Sequence, residues 1–305
     1  MRTYPKRPPT FHSLLSFDSV GLKPMKKISP TTQLCGVILH PAGHSRSPAM
    51  HNAAFKSLGI DARFLAFDVV PEQLASAIAG CKALGLRQLA VSIPHKQNVI
   101  PYLDKVDQVA SKIGAVNTIT LRENLLVGSN TDWIGLVRAL ERATPLKDKR
   151  AIVLGAGGAA RAAIFGLLQS GAHVTVLNRT VGKARTLLTE LGGERAGTLE
   201  DLAKIECDIL INTTSVGLSE DISPVASKNI PEGSIVFDAI YSSKPTRLLR
   251  DAEEKGCVSI SGKWMLVGQA LEQIRLWTGL CPSERILADA FDTAGNTLSQ
   301  TKKTI

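Results

Sequence analysis

Residues 151–180, AIVLGAGGAARAAIFGLLQSGAHVTVLNRT, constrain this chain more than any other stretch. The apolar run 151–154 suits a parallel strand buried on both faces. Gly155, Ala156, Gly157, Gly158, Ala159 and Ala160 follow at once and fit G-x-G-x-x-G/A, with Ala160 in the last place. Gly155 can take the tight turn, Gly157 lets a pyrophosphate approach the backbone, and small Ala160 lets a helix pack close to the strand. The free N–H groups at the start of that helix then face the phosphates. A second strand over 173–177 completes the unit.

The end of that second strand selects the dinucleotide. An NAD site places a carboxylate about twenty residues past the first glycine, on the ribose 2′-hydroxyl. Here stand Asn178, Arg179 and Thr180, with Lys183 one turn on and no acid before Glu190. A carboxylate repels a 2′-phosphate, whereas a guanidinium pairs with it through two parallel hydrogen bonds. The expected cofactor is NADP.

The 305 residues allow two domains, each with its own core. From residue 33 to 128, short apolar runs alternate with helical stretches, the βαβ signature. Strands are expected at 35–39, 63–68 and 89–92, helices at 48–58 and 71–84, and an edge hairpin from 118–121 and 125–128. A helix over 132–142 leads into the dinucleotide stretch. Strands at 208–212, 234–239 and 258–260 continue it, and helices at 264–278 and 283–300 close the chain.

Charge and cysteine usage narrow the partners. Five of the nine net positive charges sit in residues 1–32, which leaves +4 on the body and suits anionic small molecules. The body's Lys and Arg are interleaved with acids and aromatics are only 5%, which argues against a nucleic-acid partner. Residues 1–32 are polar, Pro-rich and aperiodic, so a disordered N-terminal extension is expected. Met25-Lys26-Lys27 resembles a natural start, and a targeting peptide is the rival reading. Cys35, Cys81, Cys207, Cys257 and Cys281 are odd in number and never form C-x-x-C, which points to a reducing, cytoplasmic setting. No run of about eighteen apolar residues predicts a membrane span.

Three short segments carry candidate chemistry. Ser45 and Ser47 flank Arg46 before the 48–58 helix, with Ser47 a good N-cap and Pro48 a natural first residue. Two hydroxyls there either cap the helix or seat a carboxylate, and spacing leaves both open. Ser92-Ile93-Pro94-His95-Lys96 follows the third strand at its carboxyl end, where open α/β sheets place ligands. Asn130-Thr131-Asp132 reads as the cap of the next helix, with Asp132 near its positive end. Oxidising an alcohol needs its proton removed as the hydride leaves. A lysine held low in pKa by burial, oriented by an aspartate, can take and return that proton. His40, His44 and His51 have no Cys, Asp or Glu at ligand spacing, so no metal is expected. There is also no G-x-S-x-G nucleophile motif.

Together these motifs resemble the shikimate dehydrogenase family over residues 35–279. Gly36, Pro41 and His44-Ser45-Arg46-Ser47-Pro48 match its opening motif, with Met50, His51 and Asn52 also fitting. Ser92-Ile93-Pro94-His95-Lys96 matches its threonine–x–proline–x–lysine stretch, and Ala115-Val116-Asn117-Thr118 and Asn130-Thr131-Asp132 match two more signatures. Asn212-Thr213-Thr214-Ser215-Val216-Gly217 resembles the loop beside the nicotinamide. Tyr241 and the run from Gly262 to Gln269 match the remaining elements.

The resemblance implies an α/β fold of two domains. An N-terminal substrate-binding domain at 33–130, completed by 264–305, would accompany a doubly wound, parallel-sheet Rossmann domain at 131–263. It implies Lys96 and Asp132 as the proton-transfer pair. Ser45, Ser47, Ser92, Asn117, Tyr241 and Gln269 would bind substrate. Gly155, Ala156, Gly157, Gly158, Ala159, Asn178, Arg179, Thr180, Lys183, Thr213, Ser215, Gly262 and Met265 would bind NADP. The reaction implied is reversible reduction of 3-dehydroshikimate to shikimate, in chorismate and aromatic amino acid biosynthesis. Arg46 replaces the usual apolar residue, Ser92 the usual threonine, and the proline after Tyr241 is displaced. These departures keep a quinate/shikimate dehydrogenase of relaxed specificity as an alternative, beside a non-catalytic NADP-binding protein. A folate-type methylene dehydrogenase is disfavoured by the paired serines and the Asn-Thr-Asp motif. A small-molecule substrate is the expected partner, and a homodimer is compatible with the sequence.

Overall fold

The computed structural model describes residues 26–242 and 244–301, so the expectations for residues 1–25 lie outside the described residues. Residues 26–31 are exposed and Thr32 is half-buried, and Ser29 to Thr32 close a turn. Its Thr32 N–H donates to Ser29 O at 3.0 Å and its hydroxyl to Asp61 at 3.0 Å.

The strands form two six-stranded sheets. In the first, β1 (Gln33–Leu39), β2 (Ala62–Asp68), β3 (Gln88–Val91), β4 (Lys105–Val106), β5 (Thr118–Arg122) and β6 (Leu125–Ser129) run in the order β2-β1-β3-β5-β6-β4. β1 pairs in parallel with β2 and β3, and β3 pairs antiparallel with β5. Ile38 lies opposite Val91, so the carboxyl ends of β1 and β3 emerge side by side. The expected hairpin is present but is not the edge, because the two-residue β4 pairs outside β6. Two residues are too few to leave a periodic signal.

The second sheet is wholly parallel. Its strands β7 (Arg150–Leu154), β8 (His173–Leu177), β9 (Arg195–Gly197), β10 (Ile209–Asn212), β11 (Ile235–Asp238) and β12 (Val258–Ser261) run β12-β11-β10-β7-β8-β9. That is the doubly wound order of a Rossmann fold. Ala151 to Leu154 are at most 1% exposed, as a strand covered on both faces requires. Asn212 lies opposite Leu154, so the loops after β7 and β10 emerge together at the switch point.

The helices are α1 (Ser47–Leu58), α2 (Leu74–Ala83), α3 (Gln108–Ile113), α4 (Asp132–Glu141), α5 (Gly158–Gln169), α6 (Val181–Leu191), α7 (Arg247–Glu254), α8 (Lys263–Thr278) and α9 (Glu284–Thr301). The helix expected from 71 divides into a 3-10 turn, Pro71–Gln73, and α2. α3, α6 and α7 were not anticipated. α7 has eight residues, too few for a full periodic window, yet buries Leu248, Leu249 and Ala252. Late in the chain, α8 and α9 return to the first sheet. Val267, Ala270, Ile274, Leu287 and Phe291 join Val37, Phe55 and Phe64 in one core.

One helix crossing ties the two halves together. A β-carbon on Gly135 of α4 would stand 2.4 Å from Met265 O, and one on Gly268 of α8 would stand 3.0 Å from Gly135 Cα. Two facing glycines therefore let α4 and α8 touch backbone to backbone, which brings Asp132 towards Gln269. Gly135→Ala should overpack this crossing and destabilise the chain by about 1–3 kcal/mol. Urea unfolding measures this, and a parent-like midpoint would show that the crossing tolerates separation.

Candidate active site

β3 ends at Val91, and the next turn is fixed from several sides. Ser92 O accepts His95 N–H at 2.8 Å, and Lys96 O accepts Val116 N–H at 2.7 Å. His95 is fully buried and its Nε2 donates to Val69 O at 2.7 Å, since a carbonyl can only accept. The Lys96 side chain is thereby held at 16% exposure, with Nζ donating to Asp132 Oδ2 at 2.6 Å. Lys96 and Asp132, thirty-six residues apart, form one ion pair.

Asp132 is the first residue of α4 and is 4% exposed. Its N–H donates to Asn130 Oδ1 at 3.0 Å, and its Oδ1 accepts Asn117 Nδ2 at 2.8 Å. Asn117 Oδ1 accepts Thr131 N–H at 2.8 Å, which fixes which end of the amide faces the carboxylate. Asn117 Nδ2 also reaches Gln269 Oε1 at 3.4 Å, while Gln269 Nε2 donates to Leu266 O at 2.8 Å. Lys96, Asp132, Asn117 and Gln269 thus form one connected polar cluster drawn from a loop, two helices and the residue before β5.

The glycine-rich loop lies against this cluster. Gly155 takes φ +111°, where a side chain would be strained, and a β-carbon there would stand 2.8 Å from Thr213 Oγ1. Open space surrounds the α-carbon face of exposed Gly157, as a closely approaching phosphate needs. A β-carbon on Gly158 would stand 3.2 Å from Lys96 Cβ. The glycine-rich loop and the lysine of the ion pair are thus close neighbours. Ala156 and Ala159 are half-buried beside it.

The other predicted positions divide. Thr213 Oγ1 donates to Leu154 O at 2.6 Å, holding the next loop to the glycine turn, and Ser215 is exposed on that loop. Behind them, Asn212 Nδ2 and Thr246 Oγ1 both donate to the buried Asp238 carboxylate, at 2.9 and 2.6 Å. Burial pushes Asp238 upward in pKa despite these bonds. Gly262 is required by packing, since a β-carbon would meet Ala239 O at 2.4 Å; Met265 is buried against α4. Arg179, Thr180 and Lys183 are exposed at the end of β8 and start of α6, and Asn178 Nδ2 donates to Thr180 O at 2.9 Å.

Ser92 follows the end of β3, Ser45 lies in the loop between β1 and α1, and Ser47 opens α1. Ser47 is not the N-cap expected of it: Arg46 caps α1 without a side-chain bond, and Ser47 is the first helical residue. Pro48 supplies no N–H, so the helix accommodates an uncapped start. The Ser47 N–H donates to Ser45 Oγ at 3.4 Å. Arg46 is 7% exposed and turns onto α9, where its guanidinium lies 4.1 Å over the Phe291 ring and 5.9 Å from that of Tyr241. Gly295 leaves the notch it fills. Desolvation pushes the Tyr241 phenol up to about 12, partly offset by Arg46.

Residues 37–119 match the family model described as the shikimate dehydrogenase substrate binding domain, and residues 138–222 the model described as shikimate / quinate 5-dehydrogenase. A shikimate dehydrogenase (NADP(+)) of Thermococcus kodakarensis is 45% identical over 267 residues, covering 85% of this chain and 96% of the relative. The chain belongs to the shikimate dehydrogenase family. Among solved structures, a shikimate dehydrogenase in complex with NADP+ superposes with TM-score 0.83 at 38% identity, covering 88% of this chain and 98% of the other. A Thermus thermophilus shikimate 5-dehydrogenase in complex with NADP(H) and shikimate gives 0.81 at 38% identity, covering 86% and 99%.

Two buried residues of this family member escaped the sequence reading. His51, set aside as a metal ligand and otherwise only part of a motif, is 0% exposed and stacks on Phe64 at 3.9 Å between centroids. Gln273, one turn beyond Gln269 on α8, is 1% exposed. A polar residue four positions from another, on a helix face that is otherwise apolar, was the available signal.

His51 makes the fold acid-sensitive. Desolvation pushes its pKa down to about 4, against hydrogen bonds to Ser47 O and Gln273 that raise it. The unfolded imidazole titrates near its ordinary value of about 6.5 and so binds more protons than the folded one in this interval. Stability is then full above pH 6.5 and falls as pH drops towards 4, by about 3 kcal/mol from this residue. Urea unfolding at pH 7 and pH 4 should show a smaller acid loss for His51→Asn than for the parent. Equal losses would remove His51 from the explanation.

Proposed function

We propose that this chain is an NADP-dependent shikimate dehydrogenase, interconverting 3-dehydroshikimate and shikimate in chorismate and aromatic amino acid biosynthesis. The observation that carries the proposal is the Lys96–Asp132 pair, closed at 2.6 Å and lying against Gly158 of the dinucleotide loop. NADP fits the residues present: Gly157 leaves its backbone open, and Arg179 and Lys183 stand where an NAD site carries an acid. When bound, it accepts hydride from the alcohol carbon or returns hydride to the ketone.

The chain's own residues move the proton. In reduction, Lys96 Nζ donates a proton to the carbonyl oxygen as hydride reaches carbon; in oxidation Nζ takes the hydroxyl proton. Asp132 holds the amine through Oδ2 and is itself held by Asn117. Ser45 and Ser47, with Ser92 and Tyr241, would bind the carboxylate and hydroxyls of the ring, and Asn117 and Gln269 would complete that set. Thr213, Ser215, Gly262 and Met265 would flank the nicotinamide. A substrate-binding unit at 33–130 with 264–305, and an NADP-binding unit at 131–263, would close on one another around it.

Assay of the full chain with shikimate, quinate, NADP and NAD tests this. Shikimate with NADP should be the preferred pair, and absence of turnover would leave a non-catalytic NADP-binding protein. Turnover of quinate at a rate comparable to shikimate would favour the relaxed-specificity alternative, to which the family model's name already extends. The odd set of cysteines, none in C-x-x-C, supports a cytoplasmic enzyme. Sedimentation would decide between monomer and homodimer.

A further inference from the structure

The polar cluster does not end at Asn117. Gln273 Nε2 donates to Asn117 O at 3.2 Å and to Thr118 Oγ1 at 3.0 Å. Thr118 Oγ1 donates to Asn117 Oδ1 at 2.8 Å, and Asn117 Nδ2 to Asp132 Oδ1 at 2.8 Å. Gln273 Oε1 faces His51 Nε2 at 3.2 Å, and Gln273 O accepts Gln88 Nε2 at 2.7 Å from the strand that leads to Lys96. The residue is thus held from α1, β3 and β5 at once.

Donor and acceptor types fix the direction of this chain. Asn117 O can only accept, so the nitrogen of the Gln273 amide must face it; turned over, the amide would set two oxygens about that same distance apart. A hydroxyl has one proton. Because Thr118 Oγ1 already accepts from Gln273, its own proton is directed to Asn117 Oδ1. That bond, with the Thr131 N–H, holds the Asn117 amide, and the amide in turn takes one oxygen of Asp132 while Lys96 takes the other. Strain in the chain falls at its far end. Neutral His51 has one N–H for two acceptors, Ser47 O at 2.9 Å and Gln273 Oε1, so the mismatch lies beyond Gln273 rather than at Asp132.

We propose that Gln273 is a positioning residue for the proton-transfer pair, acting through Thr118 and Asn117 to hold the Asp132 carboxylate square to Lys96. The inference rests on the function proposed above. It gives a glutamine that is 1% exposed and bonded to protein groups a measurable part in turnover.

The test is a double-mutant cycle on the full chain, with shikimate and NADP saturating. Gln273→Leu keeps the volume and removes the amide, and Thr118→Val removes the hydroxyl between Gln273 and Asn117. Each should lower kcat roughly tenfold through a misoriented carboxylate, leaving NADP affinity within about twofold. In an Asp132→Asn background the same substitutions should cost less than about twofold, because no carboxylate remains to be oriented. Should one variant fail to fold, the other tests the same link. Parent-like kcat in the folded single variants overturns the proposal. So does a tenfold loss that persists undiminished beside Asp132→Asn, which would make Gln273 a packing residue only. If the parent chain itself does not turn over shikimate, the functional reading has failed before any variant is made.

Discussion

Lys96→Ala should lower shikimate turnover by about a hundredfold or more while leaving NADP affinity near that of the parent, as loss of a general acid–base group does. The two halves of that expectation come from different atoms. Proton transfer needs Nζ, which sits 2.6 Å from Asp132 Oδ2 and is lost. The contact with the dinucleotide loop is made by Lys96 Cβ against Gly158, and alanine keeps Cβ. The variant therefore separates chemistry from cofactor binding better than a deletion of the loop could. It leaves Asp132 buried with one oxygen still bonded to Asn117 and the other without its cation, so some stability will be lost. Lys96→Met controls for this by restoring the apolar stem without the amine. Parallel loss in both variants would assign the effect to the amine, and parent-like turnover in either would remove Lys96 from proton transfer.

What the sequence could yield followed from how local each feature is. The glycine loop, the first two strands of its sheet and the position of Arg179 lie within thirty residues, where spacing alone states the geometry. Lys96 and Asp132 are each unremarkable by position, a loop lysine and a helix-start aspartate. Proton-transfer chemistry suggests pairing them and the resemblance implies it, but only the β3–β5 pairing and the Gly135–Gly268 crossing explain why they meet. Arg46 stands between the two serines of the candidate carboxylate seat, yet its side chain turns onto Phe291, a residue 245 positions away that no local pattern connects to it. The same holds for Gln273, whose partners come from α1, β3 and β5. β4 and α3 fell below the length at which periodicity carries information, and Ser47 missed its capping role because Pro48 already relieves the helix start of one N–H.

Arg179→Ala should weaken NADPH far more than NADH, by roughly ten- to a hundredfold for the phosphorylated cofactor and little for the other, since charge-assisted hydrogen bonds contribute about 1.5–3 kcal/mol. Arg179 is exposed, so solvent screens it before the phosphate arrives, and the lower part of that range applies at high salt. Lys183, one turn along α6, is also exposed and remains in the variant as a point charge, which sets a ceiling on the loss. Removing both cations should therefore cost more than either alone, and the NADPH affinity of the parent should fall with ionic strength more steeply than that of the double variant. Because β8 ends at Leu177 and the Asn178 side chain closes the turn onto Thr180 O without help from Arg179, the substitution should leave the loop's backbone intact. Equal weakening of NADH and NADPH would mean that the guanidinium meets the shared part of the two cofactors, and the 2′-phosphate would then need another cation, with Lys183 the nearest in sequence.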